Sequence, residues 1–362
     1  MNRDSKSYAW VVVALLAVVA LLNYMDRQML STMQHAMKAD IAELKSAEHF
    51  GFLMAIFMYI YGFMSPVAGT IADRVNRKWL IVGSLFVWSS VTYGMGLATS
   101  FNQLIWLRGF MGVSEALYLP AGLAMIADYH TGKTRSLAIG IHMTGLYMGQ
   151  ALGGFGATVA ENFTWHTTFH WFGIIGIVYS FILIVFLHDK RQQKLPVSNI
   201  ALTQMQNNRI PLLKGLAMLF TNIAFWVILF YFAAPSLPGW ATKNWLPTLF
   251  SESLNIPMSK AGPISTFTLS AASFIGAVFI GGPISDRWVQ RNIKGRVYTG
   301  AIGLSLTIPS LILLGYSTGF AGVIGSALFF GIGFGMFDAN NMPILCQFIP
   351  PNLRATAYGF MN

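Results

Sequence analysis

Ten apolar runs, each about as long as a bilayer core is thick, dominate this chain. They cover 9–32, 50–70, 79–99, 104–127, 136–159, 168–187, 215–236, 262–284, 297–316 and 320–345, and an eleventh opens at Arg354, near the last residue, Asn362. A helix needs about 20 mostly apolar residues to cross the hydrocarbon. Only helices and closed barrels can do so, because lipid offers the backbone no hydrogen-bond partners. Barrel strands would alternate over ~10-residue segments, whereas these runs are longer and continuous. The pattern predicts an all-α polytopic membrane protein. Composition agrees: 55% of the 362 residues are hydrophobic and 10% are charged, against roughly 25% charged in a soluble domain. The run from Ala9 to Leu22 follows Arg3 and Lys6 but has no small-residue cleavage site. It reads as the first span rather than a signal peptide. Cys346 is the single cysteine, which excludes an internal disulfide.

The net charge of +10 would suggest a nucleic-acid partner in a soluble protein. Its distribution points elsewhere. With the N-terminus in the cytoplasm, 17 of the 23 Lys and Arg residues fall on inner segments, and 4 fall outside: Lys38, Lys45, Lys243 and Lys260. Arg27 and Arg108 lie within spans. That bias is the positive-inside pattern, with a smaller share left for anionic membrane lipids. No nucleic acid is expected as a partner. An inner bacterial membrane and a cytoplasmic N-terminus are the expected setting. The polar, basic stretch 188–214 divides six spans from at least four. It is expected to be a cytoplasmic linker between a six-helix bundle, 1–187, and an incomplete second bundle, 215–362.

Two loops repeat. Gly69-Thr-Ile-Ala-Asp73-Arg74-Val-Asn-Arg77-Lys78 follows span 2, and Gly282-Pro-Ile-Ser-Asp286-Arg287 follows span 8, both G-x-x-x-D-R at an offset of 213. Arg135-Ser-Leu-Ala138-Ile-Gly140 and Arg354-Ala-Thr-Ala357-Tyr-Gly359 share R-x-x-A-x-G at an offset of 219. Each motif recurs six spans later, as duplication of a six-helix unit requires. A carboxylate at the inner edge of span 2 can sit against a helix N-terminus and pair with a neighbouring cation. Gly69, Asp73, Arg74, Arg77, Gly282, Asp286 and Arg287 are therefore candidates for a conformational latch. The alternative is a solvated loop that only obeys the charge bias.

The loop motif after span 2, largely repeated after span 8, resembles the major facilitator superfamily over essentially the whole chain. That resemblance implies two six-helix bundles, alternating access, and a substrate site between them at mid-membrane. The family has twelve spans, and this sequence stops early in the eleventh. A fragment or an incomplete gene model is expected to account for that.

Charges inside spans are expensive and usually mark a pathway or relay. Span 1 carries Asn23-Tyr24-Met25-Asp26-Arg27, and span 4 carries Arg108, Glu115, Tyr118 and Pro120. Arg108 and Glu115 are seven residues apart, about 10.5 Å along a helix, so each needs a partner elsewhere, and span 1 offers one of each sign. A buried arginine stays charged and suits a carboxylate ligand. A buried carboxyl can take up a proton. The alternatives are a static ion network, or partial solvation of Asp26 and Arg27 near the outer end of span 1. N-Y-x-D-R with R-G-x-x-G-x-x-E-A resembles the anion:cation symporter family, with spinster-like transporters close behind. The resemblance implies a secondary active transporter for a small organic anion such as a hexuronate, aldonate or sialate. Arg27 becomes the anion contact, Glu115 and Asp26 the proton carriers, with Tyr24 and Arg108 beside the site. Spinster-like carriage of lipid-derived or phosphorylated solutes, and a transport-dead sensor on the same scaffold, remain alternatives.

Gly112, Glu115 and Pro120 map onto Gly335, Asp338 and Pro343 at an offset of 223. Asn340 and Asn341 beside them can bond substrate hydroxyls or neighbouring helices. Gly145, Gly149, Gly153, Gly154 and Gly156 in span 5 read as a close helix contact. Gln150 on that span is a further candidate lining residue, and His142 reads as packed. Trp226, Tyr231, Trp240 and Trp245 fit an interfacial belt or a cavity wall equally. The sequence holds neither a phosphate loop nor a zinc-type Cys/His spacing. Neither a metal nor another cofactor is expected, nor is an enzyme, and a monomer is.

Overall fold

The computed structural model describes residues 6–130, 134–189, 217–317, 319–349 and 354–361; positions 190–214 of the expected linker lie outside them. All regular structure among the described residues is helical. The ten apolar runs become ten crossings in chain order: span 1 Lys6–Thr32, span 2 Ala47–Arg74, span 3 Arg77–Met95, span 4 Phe101–Tyr129, span 5 over 135–162, span 6 Trp165–Phe186, span 7 Ile223–Leu254, span 8 Met258–Val289, span 9 Gly295–Tyr316 and span 10 over 320–348. Span 11 begins at Arg354–Met361. Eight of these helical runs are long and apolar enough to cross a bilayer. Apolar side chains such as Phe63 and Ile223 stand on the outer surface, where lipid rather than water is their solvent.

Two spans break at a proline, and both breaks follow from backbone chemistry. Proline lacks an N–H and its ring clashes with the carbonyl four residues back. In span 4 the helix stops at Ala116, four before Pro120, and resumes at Tyr118. In span 10 it stops at Asp338 and resumes at Asn341, with Ala339 four residues before Pro343. Glu115 and Asp338 thus occupy the same position, five residues before the proline and at the end of the first helical segment.

Span 7 corrects the sequence reading. A span was expected over 215–236, with Lys243 in an outer loop. The helix instead starts at Ile223, capped by the Asn222 side chain, and runs to Leu254, where Asn255 turns left-handed at φ 50°. Pro235, Pro238 and Pro247 lie inside it. Spanning helices tolerate proline when hydroxyls and neighbouring helices re-satisfy the backbone. Here Ser236 donates to the Phe232 carbonyl at 2.6 Å and Thr242 to that of Pro238 at 2.8 Å, hydroxyl bonds that add to the helix without replacing the amides the prolines lack. Lys243 therefore lies within a span.

The span 5 glycines do bring helices together. A Cβ at Gly145 or Gly149 would overlap the carbonyl oxygens of Ala17 and Leu21 in span 1. Buried apolar side chains form two clusters, one from spans 1–6 and one drawn mainly from spans 7–11. The two sets of spans meet where span 5 ends and span 8 begins. Thr266 donates to the Ala151 carbonyl at 3.0 Å, Thr158 to that of Ser259 at 2.7 Å, and Gly154 packs on Gly262. This seam lies at the membrane face opposite Lys6. Gly359 of span 11 packs on Ser65 and Pro66 of span 2.

Candidate functional site

Span 1 sets Arg27 beside Glu115. The Arg27 Nε donates to Glu115 Oε2 at 2.7 Å, and the Glu115 side chain is fully buried. The guanidinium lies 4.9 Å from the Tyr24 ring, 4.8 Å from Phe57 and 4.5 Å from Tyr61. Three aromatic faces give a desolvated cation partial compensation and hold its plane in place. Arg108 stands 4.6 Å from the same Phe57 ring. One benzene ring thus serves two guanidiniums. Asn23 stands within hydrogen-bonding reach of Glu115, and the Arg108 Nε has no hydrogen-bond acceptor among the described residues.

The partnership of Arg27 with Glu115 meets the expectation that span 1 supplies span 4 with a counter-charge. The other two charges do not join directly. Asp26 is buried and accepts from Thr92 of span 3 at 3.3 Å. Arg108 places its Nη1 3.1 Å from the Met111 sulfur. Asp26 and Arg27 are both largely buried, not solvated at a span end.

Asp338 of span 10 completes the far side. It is exposed although it lies mid-span, and its charge acts on Tyr24 of span 1 and Tyr147 of span 5. This carboxylate therefore lies within electrostatic range of tyrosines of the other half. Asn341 donates to Asp338 Oδ1 at 2.9 Å, so this candidate buttresses the carboxylate. Asn340 is buried and spends an amide hydrogen on the Met336 carbonyl at 2.8 Å. Gln150 is buried on span 5 and is not hydrogen-bonded to the charged cluster among the described residues. His142 packs beside Tyr118, ring centroids 6.0 Å apart. Trp226 faces outward, while Trp245 packs on Phe50 of span 2.

Lys243 was missed as a site residue. Its ammonium sits 4.1 Å from the Phe334 ring centroid and 5.6 Å from Trp240, and its charge couples to Asp338. The signal was present: Lys243 stands 216 residues after Arg27, inside the 213–223 range of repeat offsets. Phe57, Tyr61 and Thr92 carried no polar signal in the sequence strong enough to single them out.

The latch candidates separate. Arg77 is buried; its guanidinium pairs with Asp128 at the end of span 4 and its backbone N–H donates to Asp189 at 2.8 Å. Lys78 donates to the Ile184 carbonyl at 2.7 Å. These contacts tie spans 3, 4 and 6 together. In the second half, Asp286 at the end of span 8 and Arg296 at the start of span 9 pair at 2.9 Å, the carboxylate exposed and the arginine partly buried, and Arg287 is exposed. A Cβ at Gly69 would meet open space, and one at Gly282 would lie 3.2 Å from the Ala277 carbonyl. The Asp73 and Arg74 side chains lie outside those described.

Repeat-related apolar helices with buried charges inside their spans define a polytopic membrane protein. The chain belongs to the Major Facilitator Superfamily, whose model matches residues 16–362. It is 25% identical over 324 residues to the hexuronate transporter of Bacillus subtilis, covering 87% of this chain and 73% of that one. It is 27% identical over 383 residues to protein spinster homolog 1 of Xenopus laevis, covering 96% and 68%. Its fold resembles that of a bacterial homolog of the human lysosomal transporter Spinster, with TM-score 0.80 and 21% identity over 99% of this chain and 79% of that one. The fold expected from the sequence is thereby borne out.

Proposed function

We propose that this chain carries a small organic anion, with a sugar acid such as a hexuronate or aldonate as the leading substrate class, by proton-coupled alternating access. The observation that supports it most is the buried Arg27–Glu115 pair inside its aromatic cage. Glu115 holds the Arg27 Nε and neutralises the guanidinium, so an anion approaching the remaining N–H groups competes with its charge. Protonating Glu115 removes its charge and frees the guanidinium, so proton and anion enter together. Moving the two halves against each other then exposes the loaded site on the other face. Asp26, held by Thr92, is the second proton carrier in this reading, and Arg108 adds positive potential behind the site. Gly69, Asp73, Arg74 and Arg77, with Gly282, Asp286 and Arg287, would act as the conformational latch at the face bearing the N-terminus. That face is the cytoplasmic one, the linker 188–214 lies there, and the unit is a monomer of two bundles. The hexuronate-transporter relative supports the substrate class.

The spinster likeness supports a second reading, in which a lipid-derived or phosphorylated solute uses the same cation. Both readings need Arg27. A thermal-shift screen of purified protein against sugar acids, lysolipids and sugar phosphates separates them. A shift with hexuronates or aldonates that vanishes in Arg27→Ala supports the first. A shift confined to lysolipids or phosphates overturns it. Binding should strengthen as pH falls through the Glu115 titration, because the protonated form releases Arg27.

A further inference from the structure

The two halves carry the same charged arrangement, and only one copy has a role in the reading above. In span 1, Tyr24 precedes Arg27 by three residues; in span 7, Trp240 precedes Lys243 by three. Both pairs are related by an offset of 216. Each aromatic lies against its cation, at 4.9 Å for Tyr24 and 5.6 Å for Trp240. In span 4 the carboxylate Glu115 stands five residues before a proline break, and in span 10 Asp338 does the same. Lys243 reaches span 10 one turn from Asp338, because its ammonium rests on the ring of Phe334, four residues earlier. Duplication has thus kept a cation on the first helix of each half and a carboxylate on the fourth.

The C-terminal copy differs in closure: Arg27 and Glu115 form an ion pair, and Lys243 and Asp338 do not. Glu115 is sealed against Arg27, while Asp338 is exposed and its charge acts on Tyr24 and Tyr147 of the first half. Lys243 is held by rings rather than by a sealed carboxylate. A cation partly desolvated on aromatic faces, with its counter-charge open to exchange, is itself a seat for an anionic group.

We infer that Lys243 is a second anion seat, equivalent to Arg27, so that the site takes a solute with a carboxylate at each end. One carboxylate replaces Glu115 on Arg27, and the other takes Lys243, whose charge otherwise couples to Asp338 at longer range. A dicarboxylic sugar acid is the substrate class that satisfies both cations. This inference rests on the anion-carrier reading and sharpens its substrate. A zwitterion with an amine at the far end would satisfy Asp338 and leave Lys243 without a partner.

The test compares three six-carbon probes by titration calorimetry on the full chain: gluconate with one carboxylate, glucarate with two, and 6-amino-6-deoxygluconate with a terminal amine. Glucarate is expected to bind the parent at least about tenfold more tightly than gluconate, the scale of one charge-assisted hydrogen bond. In Lys243→Gln that ratio should fall to near one, and in Lys243→Arg it should persist. Asp338→Asn frees the lysine, so there the ratio should rise; it also serves if Lys243→Gln does not fold. An unchanged ratio in Lys243→Gln and Asp338→Asn overturns the inference, as does preference for the amino acid probe. Binding of gluconate without a glucarate advantage overturns this inference alone. Binding of none of the three to folded parent overturns both it and the sugar-acid reading.

Discussion

The two charge pairs at the centre of the molecule share a plan and differ in closure. Arg27 and Glu115 are in contact at 2.7 Å with three rings around the guanidinium. Lys243 of span 7 rests on Phe334, one turn before Asp338 on span 10, without an ion pair to it, and the carboxylate is open. Guanidinium and ammonium are not interchangeable: one is a rigid planar fork that stays charged, the other a strongly hydrated point charge on a flexible stem. The sealed, forked pair suits a switch that must couple proton and anion. The open, flexible pair suits a contact that adapts to the far end of a solute.

That contrast orders the expected effects of substitution. Arg27→Ala should be the most damaging, since it leaves Glu115 buried without a partner, a loss of roughly 3–5 kcal/mol for a broken buried pair. Substrate affinity measured by calorimetry should fall at least about 100-fold, while Arg27→Lys, which keeps the charge but not the fork, should recover part of it. Parent-like affinity in the alanine variant would remove Arg27 from the site. Next come the proline breaks. Pro120→Ala should let span 4 run straight and turn Glu115 away from Arg27. Pro343→Ala should do less, because Asp338 is not held in a fixed contact. Equal losses of transport in the two variants would mean that the halves are more alike than their geometry suggests.

Removing rings should cost less again. Phe57→Leu takes away the face shared by Arg27 and Arg108, worth about 0.5–2 kcal/mol for a desolvated cation. Trp240→Leu removes a ring 5.6 Å from Lys243, and about 0.5 kcal/mol is expected. Affinities of the two variants, measured side by side, should fall in that order. The smallest effect belongs to Asp286→Asn. Its carboxylate is exposed in the pair with Arg296, and such pairs contribute at most about 1 kcal/mol. A melting shift of more than a few degrees would show that Asp286 has a partner in another conformation.

Much of this was legible in the residues, and what was not has a physical cause. Hydropathy placed the spans apart from the bounds of the seventh, because lipid leaves the backbone few alternatives. Ionisable residues in spans 1 and 4 pointed to Arg27 and Glu115, because such charges are rarely placed without use. Span 7 was misread because Pro235, Pro238, Gly239 and Lys243 together look like a turn. In a bundle, neighbouring helices hold such a segment helical, and Lys243 moved from an assumed loop into a span. The cage of Phe57 and Tyr61 was hidden for a different reason. Aromatic residues on an apolar span are ordinarily lipid-facing or packed, and only tertiary contact shows which of them touch a cation. The side-chain roles of Asn340 and Asn341 likewise depended on a helix break whose effect on direction is tertiary.

The central claim is that protonating Glu115 releases Arg27 to the anion, so that proton and anion bind together. Glu115→Gln keeps the shape of the protonated carboxyl and cannot titrate. In reconstituted vesicles it should still exchange labelled for unlabelled sugar acid at near the parent rate, and should fail to accumulate it when a pH gradient is imposed. Accumulation equal to the parent at every imposed gradient would contradict the account and move the coupling role to Asp26.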